Sequence, residues 1–376
     1  MNRIVVLGSG FGALATVRAL RRRVSDAEIT VVAPTDELVL YPSLVGVAVG
    51  EGQGERTRVG LRDFFERHDV TFVRATVEGI TNGGRTVVTN EGEIENDVLV
   101  IATGSGKVST PPGLEHTLSI CSNVETADEI GRRLRSLTSG TIACGFAGNP
   151  KDPSGVRGGP ALELLLSVDT YLRREGRRDA VDLVFFSPAE NPGERLGRRA
   201  VSKVMAMMAD REIRPHVGHK IRGFEEGRVL TEGGDIEADV ILFVPGMAGP
   251  LWARATSLPL SAGGFIRADQ ACRVLGHPGV YVVGDAGAYE SVEEWMPKQG
   301  HAAEVQGAVA AWNIARAIEG RGPLRTFRQE LVCIIDTLDT AVLVYRSTRV
   351  ATAIRGRYWR WVKKALERRE RHDYGR

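Results

Sequence analysis

Four cysteines, Cys121, Cys144, Cys272 and Cys333, carry most of the chemical potential of this 376-residue chain. They are too few and too widely spaced for a disulfide scaffold, and none forms a C-x-x-C pair, so structural zinc is not expected. In a reducing compartment a thiol pair is transient and catalytic, whereas a lone buried cysteine packs as a small hydrophobe. Cys144 lies inside an apolar run and is expected to pack, as is Cys272. His216 and His219 form an H-x-x-H with no carboxylate or cysteine nearby and read as solvated, so no metal is predicted.

The second chemical element is backbone. Gly8, Gly10, Gly12 and Ala13 make a G-x-G-x-x-G/A pattern between the strand-like run Ile4-Val5-Val6-Leu7 and a helical segment from Leu14 to Arg23, with a further strand at Ile29-Thr30-Val31-Val32. This βαβ context lets the glycine backbone approach a pyrophosphate on the helix N-terminus. The acidic residue that usually ends the second strand and binds a ribose is missing, since that strand ends Val32-Ala33-Pro34. Asp36, Glu37 or the backbone is the available substitute.

These residues need a frame. The run Asp97 to Ile101 reads as a buried parallel strand leading into Ala102-Thr103-Gly104. A second unit follows: a helix from about 125 to Leu137, a strand from Thr141 to Phe146, a helix from Pro160 to Glu175 and a strand from Val181 to Phe186. A helix over 195–210, short strands near 221–231 and the run Ala238 to Val244 complete it, and Val280-Tyr281-Val282-Val283 returns to the first unit. The helical face predicted for 299–318 is Ala302, Val305, Val309, Trp312 and Ala315. The architecture expected is α/β with two Rossmann-like dinucleotide-binding domains: 1–110 with 246–325, and 111–245. A C-terminal strand pair and basic amphipathic helix follow over 326–376.

Ala102-Thr103-Gly104 and Gly284-Asp285, each after a strand, resemble the later signatures of flavoproteins with two dinucleotide-binding domains, which implies FAD. Such proteins carry a second glycine fingerprint for NAD(P)H, but here a long loop with Pro150, Pro153 and Pro160 stands between Gly145 and Glu163 and cannot make the tight turn.

Over nearly its whole length the chain resembles sulfide:quinone oxidoreductases and the flavoprotein subunit of flavocytochrome c sulfide dehydrogenases. The resemblance is carried by Gly159-Pro160-Ala161-Leu162-Glu163, Tyr41-Pro42-Ser43, Pro297-Lys298-Gln299-Gly300 and Cys333-Ile334-Ile335-Asp336. It implies a redox-active Cys333 over the flavin, a proton-shuttling Glu163, Pro42 beside the cofactor, and Lys298 as a positive charge that stabilises reduced flavin. The family's second redox cysteine stands six residues before the matching glutamate, where this chain has Arg157. Cys121, in Ser119-Ile120-Cys121-Ser122, resembles a further cysteine of some members and is the partner expected for Cys333, as a disulfide half or as a thiol near the ring.

Charge adds the last expectation. The net charge is +2, but 345–376 holds eleven Lys/Arg against Glu367, Glu370 and Asp373, an excess of eight that leaves the remainder at −6. Ile354, Tyr358, Trp361, Ala365 and Leu366 line one face of a helix whose other positions are Arg355, Arg357, Arg360, Lys363 and Lys364, and with Trp359 this is the composition of a helix lying in an anionic membrane interface, a helix that covers a partner subunit being the alternative. The acidic body speaks against nucleic acid. No apolar run reaches the roughly 18 residues of a membrane span, and the first residues do not read as a secretory signal. The combined expectation is a homo-oligomeric enzyme on the cytoplasmic side of the cytoplasmic membrane, oxidising sulfide and reducing quinone. A type II NADH:quinone oxidoreductase and a non-catalytic flavin-binding redox partner are the alternatives.

Overall fold

The computed structural model describes residues 2–322 and 324–375; Met1, Pro323 and Arg376, among them the outer ends of the first and last predicted units, lie outside the described residues. The chain opens with β1 (Arg3–Leu7), α1 (Phe11–Arg21) and β2 (Glu28–Ala33), then β3 (Val70–Arg74) and β4 (Val98–Ile101). The second unit runs α2 (Val124–Ser136), β5 (Gly140–Phe146), α3 (Gly159–Arg174), β6 (Val181–Ser187), α4 (Arg198–Ala209), β7 (Arg214–Val217) and β8 (Val240–Val244). Next come β9 (Val280–Val282), α5 (Gly300–Ile318), β10 (Glu330–Asp336), β11 (Ala341–Ser347), β12 (Ala351–Arg355) and α6 (Tyr358–Gly375).

Two parallel sheets form the frame, ordered β9-β4-β1-β2-β3 and β7-β6-β5-β8. Strand β9 rejoins the first sheet beside β4, pairing Val282 with Ile101. Their strands read as near-continuous apolar runs because both faces are covered; Leu7, Ile101 and Val282 are fully buried. The predicted C-terminal strand pair is joined by a third strand, β12, in an antiparallel sheet β10-β11-β12.

Two helices set the site. α3 starts with Pro160, whose fixed φ and missing N–H suit a first turn, and is buried almost all round. Its polar residues therefore bond across elements: Ser167 Oγ donates to Asp336 O at 2.9 Å and Thr170 Oγ1 to Thr337 O at 2.7 Å, clamping α3 to the end of β10. α5 lies against α1, and its buried face keeps Ala302 and Ala315 of the predicted one but not the rest. Val305, Val309 and Trp312 are only half-buried, while Ala303, Gln306, Gly307, Ala310 and Ile314 face inward. Small residues win because the helices cross closely: a Cβ on Gly307 would stand 2.7 Å from Gly12 O.

α6 is turned opposite to a core helix. Its apolar stripe, Tyr358, Trp361, Val362, Ala365 and Leu366, faces outward, with Trp361 74% exposed. Arg360, Lys363, Glu367 and Glu370 face the body instead. Ile354, expected on this helix, sits in β12. The far end is anchored by Tyr374, fully buried against Phe11 and Phe64, with its hydroxyl donating to Glu304. Among the described residues no helix is long and apolar enough to cross a membrane.

Candidate active site

A cavity of about 1750 Å³ lies between the carboxyl ends of the two parallel sheets, closed on one side by β10 and α6. Every site residue expected from the sequence lines it except Ala13: Gly8, Gly10, Gly12, Pro42, Ala102, Thr103, Gly104, Cys121, Glu163, Gly284, Asp285, Lys298 and Cys333. Ala13 is fully buried one residue further into α1 and packs in the core.

The glycine end fits a dinucleotide. Gly8 has φ +108°, and a Cβ there would lie 2.4 Å from Ala102 O, so only glycine lets the β1 and β4 turns meet. Gly10 and Gly104 face open space, with no protein atom within 4 Å of an added Cβ. The first turn of α1 has no side-chain cap, which leaves its N–H groups for an anion. Neither acidic substitute for the missing ribose acid lines the cavity: Asp36 pairs with Arg74, and Glu37 with Arg58 at 3.5 Å.

Asp285 is already engaged. The Arg157 guanidinium donates to its carboxylate, which ties the loop before α3 to the turn after β9. Arg157 and Lys107 also face Cys121: burial pushes that thiol up, and the two cations oppose the shift. Lys298 Nζ bonds the carbonyls of Asp285 (3.2 Å) and Gly287 (2.5 Å) and lies 3.9 Å above the Phe265 ring. Burial pulls its pKa down to about 8.

In the same cavity wall Cys333, Glu163 and Lys363 meet. A Cβ on Gly159 would be 3.9 Å from Cys333 Sγ, so the thiol stands over the first turn of α3. Lys363 Nζ, from α6, donates to Glu163 Oε1, and both side chains are about a tenth exposed. Burial raises the Glu163 carboxyl to about 7, with Lys363 opposing and Asp336 and Glu367 adding to the rise. Burial and then the Glu163 charge push the Cys333 thiol up to about 12, against Lys363.

Sequence reasoning assigned Lys363 to the cationic outer positions of a membrane helix and did not see it as part of the site. The signal was the spacing Lys363, Glu367, Glu370, Tyr374, an i, i+4, i+7, i+11 row carrying acids in a basic segment. Cys144 and Cys272 are buried in the two cores, and all four cysteines are free thiols. His216 bonds Thr231 Oγ1 at 2.7 Å, half-buried rather than solvated.

Comparison with known proteins places this geometry. The chain is 25% identical to the sulfide-quinone reductase of Aquifex aeolicus, over 98% of its own length and 90% of that protein's. It superposes on the crystal structure of the sulfide:quinone oxidoreductase from that bacterium with a TM-score of 0.89 at 24% identity, covering 98% of this chain and 90% of the other. It is also 25% identical to the type II NADH:quinone oxidoreductase Ndh of Mycobacterium tuberculosis over 77% of its length and 68% of that protein's. Residues 2–311 match the pyridine nucleotide-disulphide oxidoreductase family, and the chain belongs to it.

Proposed function

We propose that this oxidoreductase binds FAD, oxidises hydrosulfide at Cys333 with Cys121 as the second thiol, and passes the electrons to a membrane quinone. The observation that carries the reading is the trio Cys333, Glu163 and Lys363 in one cavity with the three glycine-rich turns. Gly8, Gly10, Gly12 and the α1 N-terminus would hold the pyrophosphate, with Ala102 to Gly104, Gly284, Asp285, Pro42 and Lys298 around the remainder. When bound, FAD supplies the two-electron relay between sulfur and quinone.

The chain's own groups handle sulfur and protons. Loading one sulfur on Cys333 is Cys-SH + HS⁻ → Cys-S-SH + H⁺ + 2e⁻, and quinone reduction is Q + 2e⁻ + 2H⁺ → QH₂. Glu163, with a carboxyl near neutrality, accepts the thiol proton. That transfer removes the charge that holds Cys333 protonated, while Lys363 stays to balance the thiolate. Net charge around the buried trio is unchanged, which avoids the cost of burying an extra ion.

The loop over 147–158 supports hydrosulfide rather than NADH as donor. Asn149 Nδ2 donates to Met247 O at 2.9 Å and Ser261 Oγ to Asp152 Oδ2 at 2.5 Å, so a folded loop separates β5 from α3 where a nucleotide would need a tight glycine turn. The outward apolar stripe of α6, beside Arg357, Lys364 and Arg368, suits a quinone-bearing anionic membrane. The test is mass spectrometry of the holoenzyme after one anaerobic sulfide turnover. A mass gain of one sulfur on the Cys333 peptide supports the reading, and unmodified Cys333 with sulfide consumed opposes it.

A further inference from the structure

We propose that Glu163 and Glu367 form a proton exit from the Cys333 chamber into a second cavity between α6 and the 43–57 segment. This rests on the function proposed above. The second cavity, about 510 Å³, shares Glu163, Lys363 and Glu367 with the main one, so these side chains form the partition between the two. Its mouth is exposed backbone and cation: Gly50, Gly52, Arg368 and Arg371.

Four carboxylates line this cavity, and they divide into two pairs. Asp336 Oδ1 accepts from Arg360 Nε and from Leu338 N, both at 2.8 Å. Glu51 is ringed by Arg174 at 3.0 Å, Arg360 at 3.0 Å and Lys364 at 3.2 Å; burial acts to raise it, but these cations outweigh burial and hold it below the usual carboxylate range. Those two are held by cations and by backbone N–H. Glu163 has Lys363 as its ion-pair partner, with Cys333, Asp336 and Glu367 also facing it. Glu367 is pushed up by burial, with Lys363, Ser43 and Arg371 opposing and Asp336 adding to the rise. Glu163 and Glu367, each with Lys363 as an opposing cation, thus both line the wall that the main cavity shares with the second one, together with Pro42 and Val45, and the second cavity is roomy enough for water.

Each sulfur loaded on Cys333 releases one proton beside Glu163. Glu163 takes it from the thiol, Glu367 takes it from Glu163, and water in the second cavity receives it. Lys363 keeps its charge throughout, so the relay moves one proton and no other ion.

The test compares parent holoenzyme with Glu367→Gln and Glu367→Asp by stopped-flow flavin reduction with sulfide, in H₂O and D₂O, with and without formate. Glu367→Gln is expected to slow reduction about tenfold, to enlarge the solvent isotope effect, and to regain rate with formate; Glu367→Asp retains most of the rate. A Gln variant with the parent's rate and isotope effect overturns the proposal, as does a slow variant that neither formate nor the Asp variant restores. If sulfide fails to reduce even the parent protein, the proposed function itself fails. A parent that sulfide does reduce, with a Glu367→Gln variant matching its rate and isotope effect, overturns the relay alone.

Discussion

Arg157 and Asp285, 128 residues apart, are joined by an ion pair that ties the loop before α3 to the turn after β9. The pair spans the two sheets, and it puts a fixed cation beside Cys121. Both side chains are about a quarter exposed or less, so losing one partner strands a largely desolvated charge.

Arg157→Met is therefore expected to cost about 1–3 kcal/mol, read as a lower urea midpoint, with Arg157→Lys between it and the parent. Arg157 and Lys107 oppose the burial that raises the Cys121 thiol. The pH midpoint for alkylation of Cys121 moves up in Arg157→Met, and an unchanged midpoint contradicts the placement.

Glu163 works as a base only when ionised, and its carboxyl lies near 7. Sulfide-driven reduction is expected to climb with pH through that value. Because hydrogen sulfide itself ionises near neutrality, the diagnostic is the difference between parent and Glu163→Gln. The variant loses roughly 10²-fold above the midpoint and converges on the parent below it; a uniform loss across pH argues against general-base action.

Lys363 is the attraction that opposes burial at both Glu163 and Cys333. Lys363→Met moves the Glu163 limb to higher pH and raises the Cys333 alkylation midpoint, while Lys363→Arg keeps most of both. A rate loss in Lys363→Met without any shift of either midpoint would show that α6 acts only as a wall.

The outward stripe of α6 predicts interfacial binding. Trp361→Ala removes a largely exposed indole, so folding stability stays within error while affinity for anionic vesicles falls by roughly 2 kcal/mol. Vesicle binding by the parent weakens with salt. Equal binding by parent and variant in flotation assays would remove the stripe from the docking surface.

Local patterns made the frame legible. Ile4 to Leu7 running into Gly8, or Val98 to Ile101 into Gly104, encodes strand and turn within a few residues, and the cavity collects every expected site residue but Ala13. What depends on distant partners is less legible. The apolar stripe of α6 reads the same whether it faces core or lipid, and only the acids it meets, Glu163 and Asp336, turn Arg360 and Lys363 inward. Arg157 stood out as a departure, yet nothing near it in sequence announces Asp285.

The central claim is that hydrosulfide, and not NADH, feeds this flavin site. The direct measurement is anaerobic absorbance of the FAD-loaded protein, one sample given sulfide, another NADH, each followed by soluble quinone. Flavin bleaching by sulfide within the mixing series, reoxidation by quinone, and no bleaching by NADH are predicted. Bleaching by NADH with no response to sulfide would contradict the account.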